Sequence, residues 1–558
     1  MVTKRADRNL TRRDFLKVGI GTAGVYLLAA CSSPTTAPTQ APAAPAAPTK
    51  GAAPAPTTGP AAAPTKAPAP TATPAPQGPK TGGTFIVART PRINDFNGMH
   101  LVRANFGYIR ALYNMLVRLD YDLNPQPELA ESWKVSPDGL TLALKLRQGV
   151  KFHSGRDLTA EDVKFSHEWA LDPANGAHLR PAYQLIKELK VVDNYSIELS
   201  FDKPNPLIFD ALDTLCIYDK STIGDISKTD VGSGPFMVDK YIPPNEIHMK
   251  RFDDYWDKGK PYVDEYQLKS IPDAAALVIN LEAGAVDATW SPSFLDVARL
   301  KGQKGYAVDG GLGTPSIFHI AVNVTSGPLS NKKVRQAINH AIDRERCVRT
   351  ALSDLVEPTW LNWPKGSWAY FPDLEGRYPY DLDKAKALLA EAGHADGFET
   401  SILLSKAINP PQFDLGQILQ ADLAKIGIKA RIENVESGLY PGRIIAGKFE
   451  MAVHNYGRAN RDPGTMLAAT NIWLDKSEGG QIGFQSPDYV RWRTEAASTL
   501  DMEKRKALYR QIQEWFLDES FSMPIAPNQS FWLYRDYVKD LRFGPEWTPL
   551  MDNVWLDK

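Results

Sequence analysis

The sequence predicts an α/β protein with more than one domain, and three observations support this prediction. The chain has 558 residues, of which 43% are hydrophobic, which is enough to build two or three cores rather than one. Apolar and polar residues alternate between Leu129 and Leu146 on both sides of a Ser-Pro-Asp-Gly turn, which predicts a β-hairpin. Apolar residues recur at helical spacing from Asp383 to the stop signal Gly393, which predicts an amphipathic helix.

Strands and helices alternate along the rest of the chain. Thr159 and Asp162 are spaced as in a capping box, so a helix should begin there and end near Asp172 and Pro173. Strand-like patterns predict strands at residues 84–88, 191–201, 317–323, 428–435, 450–454 and 524–532. Helical spacing predicts further helices at residues 103–113 and 417–426.

The N-terminus has the pattern of an export signal. Arg12 and Arg13, followed by Phe-Leu-Lys, match the twin-arginine pattern, although an ordinary positively charged leader is the alternative. The apolar run at residues 18–30 is shorter than the roughly 20 residues that span a membrane. Cys31 follows Leu-Ala-Ala as in a bacterial lipobox, so it is expected to carry a lipid anchor; the alternative is a soluble secreted protein with a coincidental cysteine.

A low-complexity segment follows Cys31. Residues 32–80 are almost entirely Pro, Ala, Thr and Gly and hold too few large apolar side chains for a core. They predict a disordered tether that reaches on the order of 150 Å at about 3.1 Å per residue, or an O-glycosylated stalk. The other two cysteines, Cys216 and Cys347, are expected to be small buried residues rather than a disulfide.

Charge and motifs argue against several classes of function. The formal net charge is -1 and no basic stripe is present, so no nucleic-acid partner is expected. The sequence lacks His-Glu-x-x-His, Cys-x-x-Cys, the Gly-x-Ser-x-Gly elbow and a phosphate loop, so no catalytic residue, metal or cofactor is predicted. Its 65 acidic residues leave room for a carboxylate pair, so a secreted hydrolase stays as the alternative outside the binding proteins.

Residues 129–163 carry the motifs of one known family. LAESW at 129–133, SPDG at 136–139, GVKF at 149–152 and LTAEDV at 158–163 resemble the signature of the extracytoplasmic solute-binding proteins of family 5. Those proteins are receptors for oligopeptides, dipeptides, nickel and some oligosaccharides that feed ABC importers. GSGPF at 232–236, a helix at 274–282 with a short strand at 284–287, and a helix at 328–343 extend the resemblance, which covers residues 81–558.

The resemblance implies a two-lobed periplasmic-binding-protein-like α/β fold of class II, in its three-domain variant, with a hinged cleft. It implies domain I at residues 81–112, 231–315 and 523–558, domain II at 113–230 and domain III at 316–522, after a signal peptide at 1–30 and a lipidated tether at 31–80. It also implies a monomeric, lipid-anchored receptor outside the cytoplasm. The implied partners are a small solute and the permease subunits of an ABC importer.

The same resemblance, together with local composition, indicates a solute site drawn from several segments. The entry to the first helix and the strand near residue 290 would form one wall, and residues 455–463 another, while residues 528 and 529 would lie near the hinge. The aromatic residues within 357–372 are expected either to stack on a solute or to pin a loop. The predicted ligand-binding residues are Arg103, Asn105, Phe106, Trp290, Trp360, Trp363, Asn455, Tyr456, Arg458, Asn528 and Gln529.

Ala459 bears on the kind of solute. The resemblance implies that peptide-binding members hold the α-ammonium of the ligand with an aspartate four residues before the equivalent of Pro463, where this chain has Ala459. A buried ammonium without a charge partner is strongly disfavoured, so free di- to pentapeptides are expected to bind poorly unless another acid serves, with Asp462 the nearest in sequence. A solute rich in hydroxyls or bearing an anion is expected to bind better. Oligopeptide-like and oligosaccharide-like solutes both stay open.

Overall fold

Three larger β-sheets organise the part of the chain that the structure describes. In this computed structural model the described residues are 78–93, 95–100, 106–120, 123–224, 226, 230–310, 316–457, 462–544 and 549–558. They all belong to one compact unit of the chain. The predicted signal peptide, Cys31 and the predicted tether up to residue 77 lie outside the described residues.

The regular elements follow one another along the chain. The strands are β1 (Thr84–Arg89), β2 (Val117–Leu119), β3 (Pro125–Pro127), β4 (Ala130–Val135), β5 (Thr141–Leu146), β6 (Glu188–Asp193), β7 (Ser196–Ser200), β8 (Phe236–Ile242), β9 (Glu246–Arg251), β10 (Glu265–Ser270), β11 (Ala288–Trp290), β12 (Tyr306–Asp309), β13 (Ser316–Val322), β14 (Glu399–Leu404), β15 (Lys429–Asn434), β16 (Met451–Gly457), β17 (Ser522–Pro527), β18 (Trp532–Arg535), β19 (Val538–Lys539), β20 (Arg542–Phe543), β21 (Pro549–Leu550) and β22 (Trp555–Leu556). The α-helices are α1 (Phe106–Leu112), α2 (Ala160–Leu171), α3 (Arg180–Tyr183), α4 (Ile208–Leu212), α5 (Ala274–Glu282), α6 (Phe294–Leu300), α7 (Lys332–Ala341), α8 (Arg344–Ala351), α9 (Leu382–Glu391), α10 (Pro410–Ala424), α11 (Tyr440–Ile445), α12 (Pro463–Ala469), α13 (Pro487–Ala496) and α14 (Met502–Glu519).

The strand order separates three sheets. The seven-stranded sheet has the order β12-β18-β11-β1-β10-β9-β8, in which β1 is parallel to β10 and β11 and the other neighbours are antiparallel. The four-stranded sheet, β4-β5-β7-β6, is antiparallel throughout. The five-stranded sheet has the order β15-β14-β16-β13-β17, and β14 is parallel to both of its neighbours.

Two large hydrophobic cores divide these sheets into two groups. The seven-stranded and four-stranded sheets share one core, which includes Val87 and Leu144. The five-stranded sheet and the helices from α7 to α14 bury a second core, which includes Ile320 and Phe516. We call the first group lobe 1 and the second lobe 2.

The chain passes between the lobes at two neighbouring places. β12 leads to β13 through residues 310–315, of which Gly310 is described, and β17 leads to β18 through residues 528–531. The two connections meet, because Asn528 N donates to Ser316 O at 2.9 Å. A Cβ atom on Gly310 would lie 2.2 Å from the Phe531 ring, so the close approach of the two connections requires glycine there.

Several predicted elements are confirmed. The predicted hairpin is β4 and β5, and Gly139 in its turn has φ of +71°. The helix that follows is α2, in which Thr159 and Asp162 form the predicted capping box and Asp172 ends the helix. The predicted stop at Gly393 is also confirmed, because this residue follows α9 with φ of +81°.

Two elements predicted from periodicity have wrong bounds. Residues 191–201 are not one strand, because the carboxylate of Asp193 accepts a hydrogen bond from Tyr195 N at 2.8 Å and turns the chain between β6 and β7. The helix predicted to begin at residue 417 is α10, which begins at Pro410. Asn409 caps this helix, and proline is tolerated in a first turn because its missing N–H is not needed there.

Two predicted strands near the lobe connections also differ. Residues 524–532 do not form one strand, because they are shared between β17 in the five-stranded sheet and β18 in the seven-stranded sheet. The short strand expected at residues 284–287 is β11, which begins at Ala288. Trp290 therefore lies within this strand, rather than after it, and its neighbours are fixed by the register of the sheet.

The two cysteines within the described residues are buried free thiols, as predicted. Cys216 lies in the core of lobe 1 and Cys347 in the core of lobe 2, so the two belong to separate cores. Burial raises the pKa of Cys347 to about 12, so its thiol stays protonated at neutral pH. None of the described helices is long and apolar enough to cross a membrane.

Candidate solute-binding cleft

Four side chains form a row across one end of the seven-stranded sheet. Arg89 in β1 lies opposite Trp290 in β11, Trp290 lies opposite Trp532 in β18, and Trp532 lies opposite Asp309 in β12. Neighbouring strands are about 4.8 Å apart, so the row spans about 14 Å between the Cα atoms of its two charged ends. We call these four residues the floor row.

The floor row projects from one face of the sheet. Trp290 and Trp532 pack on the large core of lobe 1, which also contains Val87 from the strand of Arg89. Val308 and Leu533, which precede and follow members of the row along the chain, pack in a smaller cluster on the other face. Because successive side chains of a strand point to opposite faces, all four members of the row share the face that carries the large core.

The floor row lies where the chain leaves lobe 1. Asp309 is the last residue of β12 before the first connection, and Trp532 is the first residue of β18 after the second. Phe531, next to Trp532, packs edge-on against Phe294 at 5.6 Å between ring centroids and belongs to the core of lobe 2. The floor row therefore lies at the end of the sheet that adjoins the two connections between the lobes.

A buried guanidinium forms one end of the floor row. The Arg89 side chain is only 2% exposed, lies over the Tyr108 ring at 5.3 Å and donates to Arg92 O at 3.0 Å. Burial lowers the pKa of Arg89, and the nearby hydroxyls of Tyr108 and Tyr266 raise it in part. A guanidinium titrates far above neutral pH even when buried, so this end of the row is a fixed positive charge.

The other end of the floor row is a half-buried carboxylate. Burial raises the pKa of Asp309, and a hydrogen bond from the backbone of Gly310 lowers it in part. No lysine, arginine or histidine among the described residues makes an ion pair with this carboxylate. Between the two charged ends, the indole N–H groups of Trp290 and Trp532 are buried and have no hydrogen-bond partner within the described part of the chain.

Lobe 2 presents the ends of three strands to the same junction. Asn455 in β16 lies opposite Phe318 in β13, and its side-chain amide donates to Ser316 Oγ at 3.4 Å. Tyr456 lies opposite Ile317, and its side chain is outside the described set. The structure thus brings Asn455 and Tyr456 to the end of lobe 2 that adjoins the first connection.

Asn528 and Gln529 lie in the second connection, between β17 and β18. The Gln529 side chain is 5% exposed and donates to Ser530 O at 3.1 Å, while Asn528 is held through its backbone to Ser316. Gln529 also borders a cavity of about 480 Å³ in lobe 2, together with Ile317, Pro527 and residues 354–359 and 364–366. This cavity lies directly beside the junction of the lobes.

The stacking role predicted for Trp363 is wrong in this structure. Trp363 is 0% exposed and packs in the core of lobe 2 against Tyr509 at 5.5 Å, Phe516 at 6.2 Å and Trp473 at 6.4 Å. A side chain with no accessible surface cannot stack on a solute. The alternative reading of this aromatic segment, a loop pinned by buried tryptophans, describes Trp363.

Trp360 is also held in the loop by several contacts. Its indole N–H donates to Tyr378 O at 2.8 Å, its backbone N–H donates to the Glu375 carboxylate at 2.9 Å, and the Arg344 guanidinium lies over its ring at 5.3 Å. Trp360 is partly buried in a small cluster with Leu361 and Tyr378. These contacts hold Trp360 within the loop.

Asp462 is already engaged, so it does not supply the acid missing at position 459. The Arg505 guanidinium, which is 3% exposed, donates to both carboxylate oxygens of Asp462, at 2.7 and 3.1 Å. The same carboxylate caps α12 by accepting from Gly464 N at 2.9 Å. A bidentate ion pair with a buried arginine leaves little capacity for a further cation.

The lobes also touch away from their two connections. The Thr465 hydroxyl in α12 of lobe 2 donates to the Asp210 carboxylate in α4 of lobe 1. A Cβ atom on Gly464 would lie 3.0 Å from the Leu207 side chain. A cavity of about 510 Å³ adjoins this contact and is lined by residues of both lobes, including Lys203 and Arg493. Contacts both here and at the connections describe a closed arrangement of the lobes.

The remaining predicted site residues lie outside the described set. Arg103, Asn105 and Arg458 are not described, nor is Ala459. Phe106 is described as the first residue of α1, but its side chain is not. Within the described residues, no group of three or more His, Cys, Asp or Glu side chains is arranged to hold a metal ion.

Three members of the floor row were missed by sequence reasoning. Arg89 follows the apolar run predicted as the first strand, and a charge at the end of such a run was the available signal. Asp309 precedes two glycines before the predicted strand at 317–323, where it looks like an ordinary turn residue. Only the register of β12, β18, β11 and β1 brings these residues beside Trp290.

Comparison with known proteins decides the family. The family model of the bacterial extracellular solute-binding proteins, family 5 Middle, matches residues 124–477. The chain belongs to this family. The two-lobed α/β fold of the family 5 proteins, predicted from the motifs at residues 129–163, is confirmed.

Curated relatives of this family 5 protein cover most of its length. The dipeptide-binding protein of Escherichia coli is 30% identical over 486 residues, 80% of this chain and 89% of that protein. The glutathione-binding protein GsiB of Salmonella paratyphi A is 33% identical over 434 residues, 75% and 83% of the two chains. Heme-binding protein A of Haemophilus influenzae is 29% identical over 452 residues, 75% and 82%. These are binding proteins rather than enzymes.

Solved structures agree with this assignment. The periplasmic binding protein DppA from Helicobacter pylori, in complex with the peptide STSA, is 26% identical and superimposes with a TM-score of 0.74, covering 86% of this chain and 99% of that one. The substrate-binding protein CtaP from Listeria monocytogenes is 21% identical with a TM-score of 0.77, covering 86% and 100%, and supports the fold alone. The extracytoplasmic location of the family holds for this member.

Proposed function

We propose that this family 5 protein is a receptor that encloses a short peptide or peptide-like solute between its lobes and delivers it to the permease of an ABC importer. The observation that carries the proposal is the family match, supported by relatives named for dipeptides, for di- and tripeptides and for glutathione. The contact between the lobes at Thr465 and Asp210, away from their two connections, supports capture by enclosure.

Closure follows from where the candidate contacts lie. The floor row belongs to lobe 1, whereas Asn455 and the cavity beside Gln529 belong to lobe 2. A solute that touches both lobes binds the closed arrangement more tightly than the open one, so binding shifts the population toward closure. A permease that reads both lobes at once would then distinguish loaded from empty receptor. The predicted monomeric state is part of this proposal.

The solute class is tested by titration calorimetry against a panel of free di- to pentapeptides, glutathione and neutral oligosaccharides. Short peptides are expected to bind with micromolar dissociation constants, provided that an acid other than Asp462 holds the free N-terminus that Ala459 leaves without a partner. Neutral oligosaccharides are expected not to bind. Replacing Trp290 by Ala should weaken peptide binding by about 1–3 kcal/mol, because a stacking surface is lost from the floor row. Tyr380, an exposed aromatic of lobe 2, gives a matched control, and Tyr380→Ala should leave affinity unchanged.

An oligosaccharide that binds in the micromolar range while every peptide fails would overturn the peptide proposal in favour of a sugar receptor. Equal affinity of the Trp290→Ala and Tyr380→Ala variants for peptide would remove Trp290 from the site. Each variant is compared with wild type by thermal unfolding first, so that a loss of affinity is read only on folded protein.

Lipid attachment of Cys31, after export through the twin-arginine route, belongs to the same proposal. Replacing Cys31 by Ser should release the protein from the membrane fraction and leave solute affinity unchanged, because the predicted tether separates the anchor from the folded unit. Ser32→Ala keeps the cysteine and serves as the control, which should stay with the membrane. Persistence of the Cys31→Ser variant in the membrane fraction would contradict lipid anchoring.

A further inference from the structure

We propose that Asp309 is the residue that receives the ammonium group of the solute in this protein. The inference rests on the proposed peptide solute and answers the question that Ala459 raises, namely which acid would hold a free N-terminus. Three features of the described residues carry it: the position of Asp309 in the floor row, its lack of a cationic partner, and the engagement of Asp462 and Asp287.

Asp309 lies at the end of lobe 1 that adjoins the connections to lobe 2. Asp309 ends the edge strand β12, on the sheet face that carries the floor row, with Trp532 directly opposite and Trp290 one strand further. The next residues of the chain cross to lobe 2. A cation bound to Asp309 would therefore touch lobe 1 at the junction and be covered by lobe 2 on closure.

The surroundings of Asp309 favour a bound cation. Asp309 is half-buried, and burial disfavours its anionic form, as the raised pKa reflects. An anion in such surroundings gains more from a bound cation than an exposed one, because water screens their attraction less.

Two other acids are already engaged. Asp462 is held by Arg505 in a bidentate ion pair. Asp287, which precedes β11, accepts from Ile86 N at 2.8 Å, from the Tyr537 hydroxyl at 2.7 Å and from Lys558 Nζ at 2.8 Å. Asp309 differs from both because its charge is not matched by any described cation.

The opposite end of the floor row sets the direction of the solute. Arg89 carries a fixed positive charge about 14 Å from Asp309 between Cα atoms. A zwitterion with its ammonium at Asp309 and its carboxylate toward Arg89 is favoured over the reverse orientation. An extended chain advances about 3.3–3.6 Å per residue, so the row corresponds to a peptide of about three to four residues.

The experiment measures binding of trialanine and tetra-alanine, each free and N-acetylated, to wild type and to Asp309→Asn. Asparagine keeps the size and shape of the side chain and removes its charge. In wild type, acetylation should weaken binding about 30-fold or more. This factor corresponds to about 2 kcal/mol, the free energy lost when one partner of a buried charge pair is removed. In Asp309→Asn, the free peptides should lose a similar factor, and acetylation should then make little further difference.

Asp239→Asn is the matched control, because this carboxylate lies on β8, the strand at the other edge of the same sheet. It should bind both forms of each peptide as wild type does. If Asp309→Asn binds free peptide with wild-type affinity, or still discriminates against the acetylated form, Asp309 is not the ammonium site and the proposal is overturned.

Failure of the proposed function is distinguishable from failure of this inference. A wild-type protein that binds neither peptide, free or acetylated, overturns the peptide receptor before any variant is made, and the role of Asp309 with it. Wild type that binds free peptides but is indifferent to acetylation overturns the inference alone. That measurement uses wild-type protein only, so it tests the inference even if Asp309→Asn fails to fold.

Discussion

Replacing Trp363 by Ala is expected to lower the free energy of unfolding by about 3–5 kcal/mol while leaving solute affinity unchanged. Trp363 is fully buried among Trp473, Tyr509 and Phe516, so truncation removes a large apolar surface and leaves a cavity that these rings cannot fill. Urea denaturation followed by circular dichroism measures the loss, and calorimetry with the tightest peptide of the panel measures affinity.

The Trp363 variant separates two readings of the same aromatic segment. A stacking residue would lose about 1–3 kcal/mol of binding energy and little stability, whereas a loop-pinning residue loses stability and not affinity. Tyr380→Ala again provides the control, since its exposed ring should contribute little to either quantity. A Trp363→Ala protein with wild-type stability and tenfold weaker binding would mean that the segment opens toward the solute.

The aromatic segment shows why part of the site was beyond sequence reasoning. Trp360 and Trp363 lie three residues apart in a stretch rich in Pro and Gly, and both a sugar platform and a pinned loop use that composition. Which ring is buried depends on α14, a helix more than a hundred residues further along the chain. Long-range packing of this kind leaves no local signal, so both readings stayed open until the fold was known.

Local elements were predicted well where the signal lies within a few residues. The capping box of Thr159 and Asp162 and the turn at Gly139 depend on neighbouring side chains alone, and both are present. The single strand predicted at residues 191–201 was wrong, because the alternation of apolar and polar residues continued through the turn at Asp193 and concealed that turn. The turn-forming pair Asp-Asn was the local signal that would have divided the strand.

The floor row, in contrast, could not be predicted from local signals. Arg89, Trp290, Asp309 and Trp532 come from four distant parts of the sequence, and only strand register places them side by side. Trp290 was predicted through its family resemblance, which carries information about the fold. Asp309 was not, because the resemblance directs attention to position 459 in lobe 2 rather than to the edge strand of lobe 1.

Replacing Arg110 by Met is the second change with a large expected effect, a loss of about 3–5 kcal/mol of unfolding free energy. The Arg110 guanidinium donates to the Asp213 carboxylate at 2.6 Å and to Asp213 O at 2.8 Å, and lies 3.8 Å from the Glu128 carboxylate. The three side chains are 5%, 0% and 2% exposed. Methionine keeps an unbranched apolar side chain but leaves two buried carboxylates with less compensating charge.

A double variant tests whether charge, rather than packing, causes that loss. Adding Asp213→Asn to Arg110→Met removes one of the two anions that lose the Arg110 charge, so the double variant should be more stable than Arg110→Met alone by urea denaturation. Arg299→Met, which breaks an exposed ion pair with Glu282, is the control and should change stability little. Equal losses in the single and double variants would assign the effect to packing, because only a charge effect can be relieved by removing the opposite charge.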